Sequence, residues 1–168
     1  DLSILRGYGV FDYFLVTNGQ PRFIEDNLDR FENSARLLDM ELPIDKATLR
    51  EQIQNLIEMN GLKDAAIRLV LTGGYSEDCF TPVAPSLLIM EHKAPVYPED
   101  RYEKGIKLMT YQHIRELPEA KTINYVTGIR MLKKQKEVGA MDVLYHNGEF
   151  ISESARSNFF IVTKDNVI

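Results

Sequence analysis

The sequence has little cysteine, no tryptophan, no excess of positive charge and no long apolar run. Its single cysteine, Cys79, excludes an internal disulfide and cannot build a thiolate metal site alone. A formal charge of −5 and a pI near 5.3 disfavour nucleic-acid binding, which requires clustered positive charge. No apolar run approaches the roughly 20 residues that span a bilayer, and no secretory signal opens the chain. We therefore expect a soluble, cytoplasmic protein with no metal site and no nucleic-acid or membrane partner.

The chain contains 168 residues, of which 44% are hydrophobic, enough for one domain or two small ones with a buried core. Both ends look interrupted. The chain begins without methionine, and residues 159–168 read as a strand, a turn and only the start of a return strand. We expect a longer polypeptide.

The first part of the chain alternates strand and helix signals. The Asn18-Gly19 pair between apolar runs predicts a hairpin over residues 9–24. A helix capped by Asp26 is predicted to about residue 39, with Arg30 at the edge of its buried stripe. Further predicted elements are a helix from an Asp45 cap to residues 60–61 and strands over residues 65–72 and 86–91.

Two prolines in residues 95–100 predict a linker. After it the patterns predict a strand over 106–113, a helix from near residue 125 and strands over 141–145, 150–151 and 159–162. The helix is expected to turn Val126, Ile129, Leu132 and Val138 inward. The result is an α+β (mixed α/β) fold: an N-terminal α/β domain over 1–94, a linker over 95–100 and the start of a β-rich second domain over 101–168.

Lys121 lies in the short turn between a predicted strand and a predicted helix. Small or apolar neighbours flank it, and the following helix would hold its stem in place. A lysine becomes a nucleophile or a proton carrier when burial or a nearby cation lowers its pKa. Most loop lysines are simply solvated, so this segment alone leaves both interpretations open.

Four segments together resemble the class IV aminotransferases, the fold-type IV pyridoxal-phosphate enzymes. EAKTINY at 119–125 and ISESARSNFF at 151–160 are similar to the two signature regions of that family. GVFD at 9–12 resembles its opening strand motif, and NLDRFENSA at 27–35 resembles its first-helix motif. The resemblance covers essentially the whole chain, in the family's order.

The resemblance implies pyridoxal 5'-phosphate as the cofactor and a role for each matching residue. Lys121 matches the catalytic lysine, which holds the cofactor and moves the substrate's α-proton. Glu153 matches the carboxylate that keeps the ring nitrogen protonated, and Arg30 matches the phosphate-binding arginine. Tyr125 matches a tyrosine that contacts the cofactor's phenolic oxygen, although it follows the lysine by four positions where branched-chain enzymes commonly have five.

The resemblance also implies a substrate pocket. Arg68 resembles an arginine that meets the side-chain carboxylate of glutamate in branched-chain enzymes, but Ala66 replaces their tyrosine two positions earlier. Arg68 could equally be a half-buried residue paired across the sheet. Phe11, Tyr8 and Tyr13 could line an apolar pocket or belong to the core.

The predicted activity is transfer of an amino group from a branched-chain amino acid to a 2-oxo acid such as 2-oxoglutarate, in a homodimer. The four-residue spacing between Lys121 and Tyr125 looks more like D-amino-acid aminotransferases and aminodeoxychorismate lyases, so both activities are kept as alternatives. A non-catalytic binding protein that retained the fold is a further alternative. Retention of Lys121, Glu153 and Arg30 together argues against it.

Overall fold

The computed structural model describes residues 1–164. The helices are α1 Leu2–Arg6, α2 Ile24–Leu37, α3 Lys46–Asn60, α4 Asp100–Lys104 and α5 Val126–Val138. The strands are β1 Gly9–Thr17, β2 Gln20–Pro21, β3 Ala65–Thr72, β4 Ser86–Lys93, β5 Leu108–Gln112, β6 Asp142–His146 and β7 Ile151–Ser154. The predicted α+β class is therefore confirmed. Within the described residues, no helix is long and apolar enough to cross a membrane and no group of three potential metal ligands occurs.

The chain divides into two compact units. The first comprises Asp1–Val96 together with Glu119–Asn124, and the second comprises Tyr97–Pro118 and the chain from Tyr125 onward. The sequence patterns placed the end of the first domain at residue 94. They assigned the segment Glu119–Asn124, called the lysine turn below, to the second domain. In the structure, the lysine turn belongs to the first unit.

A four-stranded antiparallel sheet in the order β2-β1-β3-β4 forms the first unit. The β1–β2 hairpin turns at Asn18 and Gly19, which both have positive φ as the predicted two-residue turn requires. Alternate β1 residues are buried, because side chains of a strand point to opposite faces. Val10, Phe14 and Val16 join residues of α2, α3 and β3 in the apolar core.

The two long helices of this unit differ in how well local signals predicted them. Asp45 caps α3 by accepting from the Thr48 amide at 2.9 Å, and Gly61 ends it in the left-handed conformation. The predicted Asp26 cap of α2 is wrong. The helix begins three residues earlier than that cap requires, at Ile24, and Phe23 occupies the cap position with φ 52° and no side-chain hydrogen bond. The hairpin was predicted to extend to residue 24. Its second strand instead ends at Pro21, because Ile24 already belongs to α2.

The second unit contains the sheet β5-β6-β7, with β5 and β6 parallel and β6 and β7 antiparallel. Its buried apolar cluster among the described residues consists of Met131, Val143 and Tyr145. The predicted inward face of α5 is wrong, because the helix buries Met131 and Gln135 instead. The residues expected to be inward are all exposed: Val126, Ile129, Leu132 and Val138.

The predicted strand over residues 159–162 is also not formed. Among these residues only Val162 makes a bridge, and their side chains are exposed. The predicted turn and return strand over residues 165–168 lie outside the described residues.

Candidate active site

The lysine turn runs antiparallel beside the start of β1. The Phe11 amide donates to the Lys121 carbonyl at 2.9 Å, and the Ile123 amide donates to the Gly9 carbonyl at 3.1 Å. Val10 and Thr122 face each other as a β-bridge between these bonds. Three backbone positions of the turn are thereby fixed to the start of β1.

A buried serine from α2 holds the other side of the turn. Ser34, which is fully buried, accepts a hydrogen bond from the Lys121 amide at 3.0 Å. The preceding Ala120 is also buried, whereas Lys121 itself is half-buried. The Lys121 Nζ atom lies 4.8 Å from the centroid of the Phe11 ring, within the range of a cation–π contact. The lysine amine is thus held at an aromatic surface of the sheet.

Arg30 extends from α2 to a carboxylate on β1. Its Nε and Nη2 atoms donate to the two carboxylate oxygens of Asp12, each at 2.7 Å, and Nη2 also donates to the Asn27 Oδ1 atom at 2.8 Å. The Asp12 side chain is 0% exposed and the Arg30 side chain is 49% exposed. Part of the guanidinium side chain therefore reaches the surface, beside the strand that supports the lysine turn.

A second arginine lies on the face of the sheet that carries Phe11. Arg68 pairs across the sheet with Tyr13, and its Cζ atom lies 5.6 Å from the Tyr13 ring centroid and 5.9 Å from that of Phe11. Arg68 is exposed. Lys121 and Arg68 therefore contact the same aromatic ring, which gives this surface two cationic groups and two aromatic ones.

The second unit brings together Glu153, Arg115 and Tyr125. Arg115 Nη1 donates to Glu153 Oε2 at 3.0 Å, with the two side chains 18% and 31% exposed, and its Cζ atom lies 5.8 Å from the Tyr125 ring centroid. Neighbouring Tyr145 is buried against the His113 ring, at 4.9 Å between centroids. Burial raises the pKa of the Tyr145 phenol, and the negative charge of Glu153 raises it further. This unit therefore contains an oriented carboxylate in a partly enclosed polar cluster.

The sequence analysis missed three side chains that contact its candidate residues: Asp12, Ser34 and Arg115. Asp12 had a detectable signal, because it is a lone carboxylate in register with the apolar residues Val10 and Phe14. Ser34 follows Arg30 by four positions, so the two residues lie on the same side of α2. Arg115 carried no local signal. The structure places Tyr8 against the core of the first unit, where its hydroxyl donates to the Leu38 carbonyl.

The chain is similar to proteins of one known family. The sequence profile described as "Amino-transferase class IV" matches residues 9–168. A D-alanine aminotransferase from Staphylococcus aureus is 27% identical over 172 residues, covering 100% of this chain and 61% of the relative. A Methanocaldococcus jannaschii protein, provisionally named a branched-chain-amino-acid aminotransferase, is 28% identical over 176 residues, covering 96% of this chain and 58% of the relative.

A solved structure has a similar fold. A hypothetical aminotransferase from Mycobacterium tuberculosis, in a form bound to alpha-ketoglutarate and PMP, superposes with a TM-score of 0.83 at 25% identity. The match covers 99% of this chain and 62% of that structure. The chain thus spans about three fifths of the length of the relatives it matches. Because the family profile covers nearly the whole chain, this protein belongs to the class IV aminotransferases.

Proposed function

We propose that this chain belongs to a pyridoxal-phosphate-dependent aminotransferase that moves an amino group between an amino acid and a 2-oxo acid. The observation that carries the proposal is the position of Lys121. Its main chain is bound to β1 and to Ser34, and its amine lies over the Phe11 ring. A lysine amine held at a defined place on an aromatic surface is suited to a carbonyl compound with an aromatic ring.

The donor groups of the first unit fit this cofactor. A primary amine can bind its aldehyde, and a partly exposed arginine can supply a positive charge for its phosphate. When bound, the cofactor supplies an electron sink for the substrate's α-carbon. In this assignment Lys121 would hold the cofactor through its aldehyde and move the substrate's α-proton, while Arg30 would bind the phosphate.

Glu153 and Tyr125 complete the proposed cofactor contacts. Glu153 is assigned to the ring nitrogen, where a carboxylate favours the protonated state. The ion pair with Arg115 fixes the direction of that carboxylate and compensates its charge. Tyr125 is assigned to the phenolic oxygen. Both assignments rest on the family resemblance and on the polar cluster of the second unit.

The substrate assignment is a branched-chain amino acid with 2-oxoglutarate as acceptor. Phe11 offers apolar surface beside the Lys121 amine, Tyr13 lies with Phe11 beside Arg68, and Arg68 offers a cation for a side-chain carboxylate. D-alanine is the second candidate donor, because the Staphylococcus aureus relative named for it matches the whole chain. The homodimer remains a prediction, which sedimentation analysis can test.

Covalent labelling tests the role of Lys121. The protein is incubated with pyridoxal 5'-phosphate, reduced with borohydride and digested, and the labelled peptide is mapped. We expect the label on Lys121, since its amine is the one held at the aromatic surface. Lys121→Ala should abolish the label and lower turnover of L-leucine with 2-oxoglutarate by at least about a thousandfold, within the range for loss of a proton-transfer group.

Lys134→Ala is the matched control, because Lys134 is an exposed lysine on α5. It should leave both label and turnover unchanged. Label on another lysine, or normal turnover in Lys121→Ala, would contradict the proposal. Release of pyruvate from aminodeoxychorismate without amino transfer would favour the lyase alternative, and transfer from D-alanine but not L-leucine would favour the D-amino-acid alternative. If the protein binds no pyridoxal 5'-phosphate, the alternative of a non-catalytic binding protein that retained the fold would be favoured.

A further inference from the structure

Asp12 is a buried carboxylate whose two oxygens are both engaged by one arginine. Arg30 Nε donates to Oδ2 and Arg30 Nη2 donates to Oδ1, each at 2.7 Å. The Tyr13 amide also donates to Oδ1, at 2.7 Å. Two parallel N–H···O bonds fix the plane of a guanidinium as well as its distance.

The location of Asp12 makes this pair unusual for a purely structural contact. Asp12 stands on the β1 face that otherwise buries Val10, Phe14 and Val16. A carboxylate that is fully buried loses its hydration, and an apolar residue of similar volume often serves stability as well as such a charge does. Stability alone therefore gives a weak reason for a carboxylate at this position.

The two partners differ strongly in exposure. The Asp12 side chain is 0% exposed, whereas the Arg30 side chain is 49% exposed. Asp12 thus holds the guanidinium from the protein interior, while about half of the Arg30 side chain is exposed. This arrangement suits an arginine that must meet an anion arriving from solvent in one fixed orientation.

Asn27 fixes the same guanidinium from the start of α2. Its Oδ1 atom accepts from Arg30 Nη2 at 2.8 Å. Its Nδ2 atom donates to the carbonyls of Arg22 at 3.2 Å and Phe23 at 2.6 Å, which anchors Asn27 to the main chain. The guanidinium is therefore held by the sheet on one side and by the beginning of the helix on another.

We propose that Asp12 is a positioning residue that presents the Arg30 guanidinium to the cofactor's phosphate. The inference rests on the proposed function, in which Arg30 binds that phosphate. Asp12 carries the same charge sign as phosphate and acts only through the arginine. A flexible arginine must lose rotamer freedom when it binds an anion, and an arginine already fixed avoids much of that cost.

The test compares pyridoxal 5'-phosphate with pyridoxal, which has the same ring and aldehyde but no phosphate. The dissociation constant of pyridoxal divided by that of pyridoxal 5'-phosphate measures the contribution of the phosphate site. Asp12→Asn should keep the side-chain shape and remove the paired hydrogen bonds to the Arg30 guanidinium. The preference for the phosphorylated cofactor should therefore fall by about tenfold. The affinity for pyridoxal should stay unchanged. An equal loss of affinity for both compounds would overturn the inference, because a merely structural role predicts it.

Two further variants separate this inference from the proposed function. Arg30→Lys should lower the same ratio, and Asp12→Asn should have little additional effect in the Arg30→Lys background. If Arg30→Lys leaves the ratio unchanged, the phosphate role of Arg30 fails, and the role of Asp12 fails with it. If Arg30→Lys lowers the ratio and Asp12→Asn does not, only the positioning role is overturned.

Asp26→Asn is the matched control, because Asp26 is an exposed carboxylate in the first turn of α2. It should leave the ratio unchanged. Asp12→Glu serves if Asp12→Asn does not fold. It retains the charge but moves the carboxylate by one methylene, so the ratio should again fall, by a smaller factor. A wild-type ratio in a folded Asp12→Glu protein would overturn the inference.

Discussion

Arg68 shows how a single side chain can serve both the sheet and the substrate. It pairs with Tyr13 across β1 and β3 and reaches over the rings of Tyr13 and Phe11. Such contacts hold an exposed guanidinium in place, since an arginine stacks on aromatic faces while its edge N–H donors remain directed outward. The sheet-pairing and substrate interpretations of Arg68 are therefore compatible.

The acceptor specificity of the enzyme tests this role. Arg68→Met keeps a long apolar stem over the rings and removes the charge. The value of kcat/KM for 2-oxoglutarate should fall roughly ten- to hundredfold, because a hydrogen bond to a charged group contributes about 1.5–3 kcal/mol. A 2-oxo acid without a side-chain carboxylate should be affected little. Arg22→Met, at an exposed arginine over the Phe23 ring, is the control. Equal losses for both acceptors would remove Arg68 from carboxylate recognition.

At the scale of single residues, sequence reasoning found candidates but not their supporting contacts. Lys121, Arg30 and Glu153 were predicted from motifs, and their roles remain proposals. Their partners Ser34, Asp12 and Arg115 are 87, 18 and 38 positions away along the chain. Contacts between residues so distant depend on the tertiary fold, which no local pattern encodes.

The helices show which element boundaries a sequence can predict. The ends of α3 coincide with local chemistry, an aspartate that accepts from the third amide and a glycine that adopts φ 64°. The start of α2 has no such signal, because Phe23 adopts a left-handed conformation without a capping hydrogen bond. The amphipathic pattern of α5 gave the wrong face, since a helix with several apolar stripes does not itself determine which one meets a sheet.

The C-terminal cap of α3 gives a prediction at this scale. Gly61 adopts φ 64° with nothing within 4 Å of an added Cβ atom, so a substitution meets backbone strain and no steric clash. Gly61→Ala should lower the free energy of unfolding by about 1 kcal/mol in urea denaturation. Gly61→Asn should cost less, because asparagine tolerates the left-handed region. Equal losses, or a gain for alanine, would show that this end of the helix relaxes into another conformation.

For the whole molecule, the two units differ in the size of the apolar core found within residues 1–164. The first unit buries side chains from β1, β3, α2 and α3 in one cluster, whereas the corresponding cluster of the second unit has three buried members, Met131, Val143 and Tyr145. Hydrophobic stabilisation grows with the apolar area removed from water. The lysine turn is attached to the larger cluster, although its sequence neighbours on both sides belong to the second unit.

This difference predicts that the chain of 168 residues opens in two steps. Hydrogen exchange should show the amides of β5 and β6 exchanging through an opening of lower free energy than the amides of β3. Leu69→Ala in β3 should lower the opening free energy of the first unit by about 2–5 kcal/mol, and Met131→Ala in α5 should do the same for the second unit. Each variant serves as the control for the other. If each variant lowers the opening free energy of both units equally, the chain unfolds as one cooperative body. The segments that contain Lys121 and Glu153 then open together. If only the predicted unit responds, the lysine turn remains folded when the cluster around Glu153 opens.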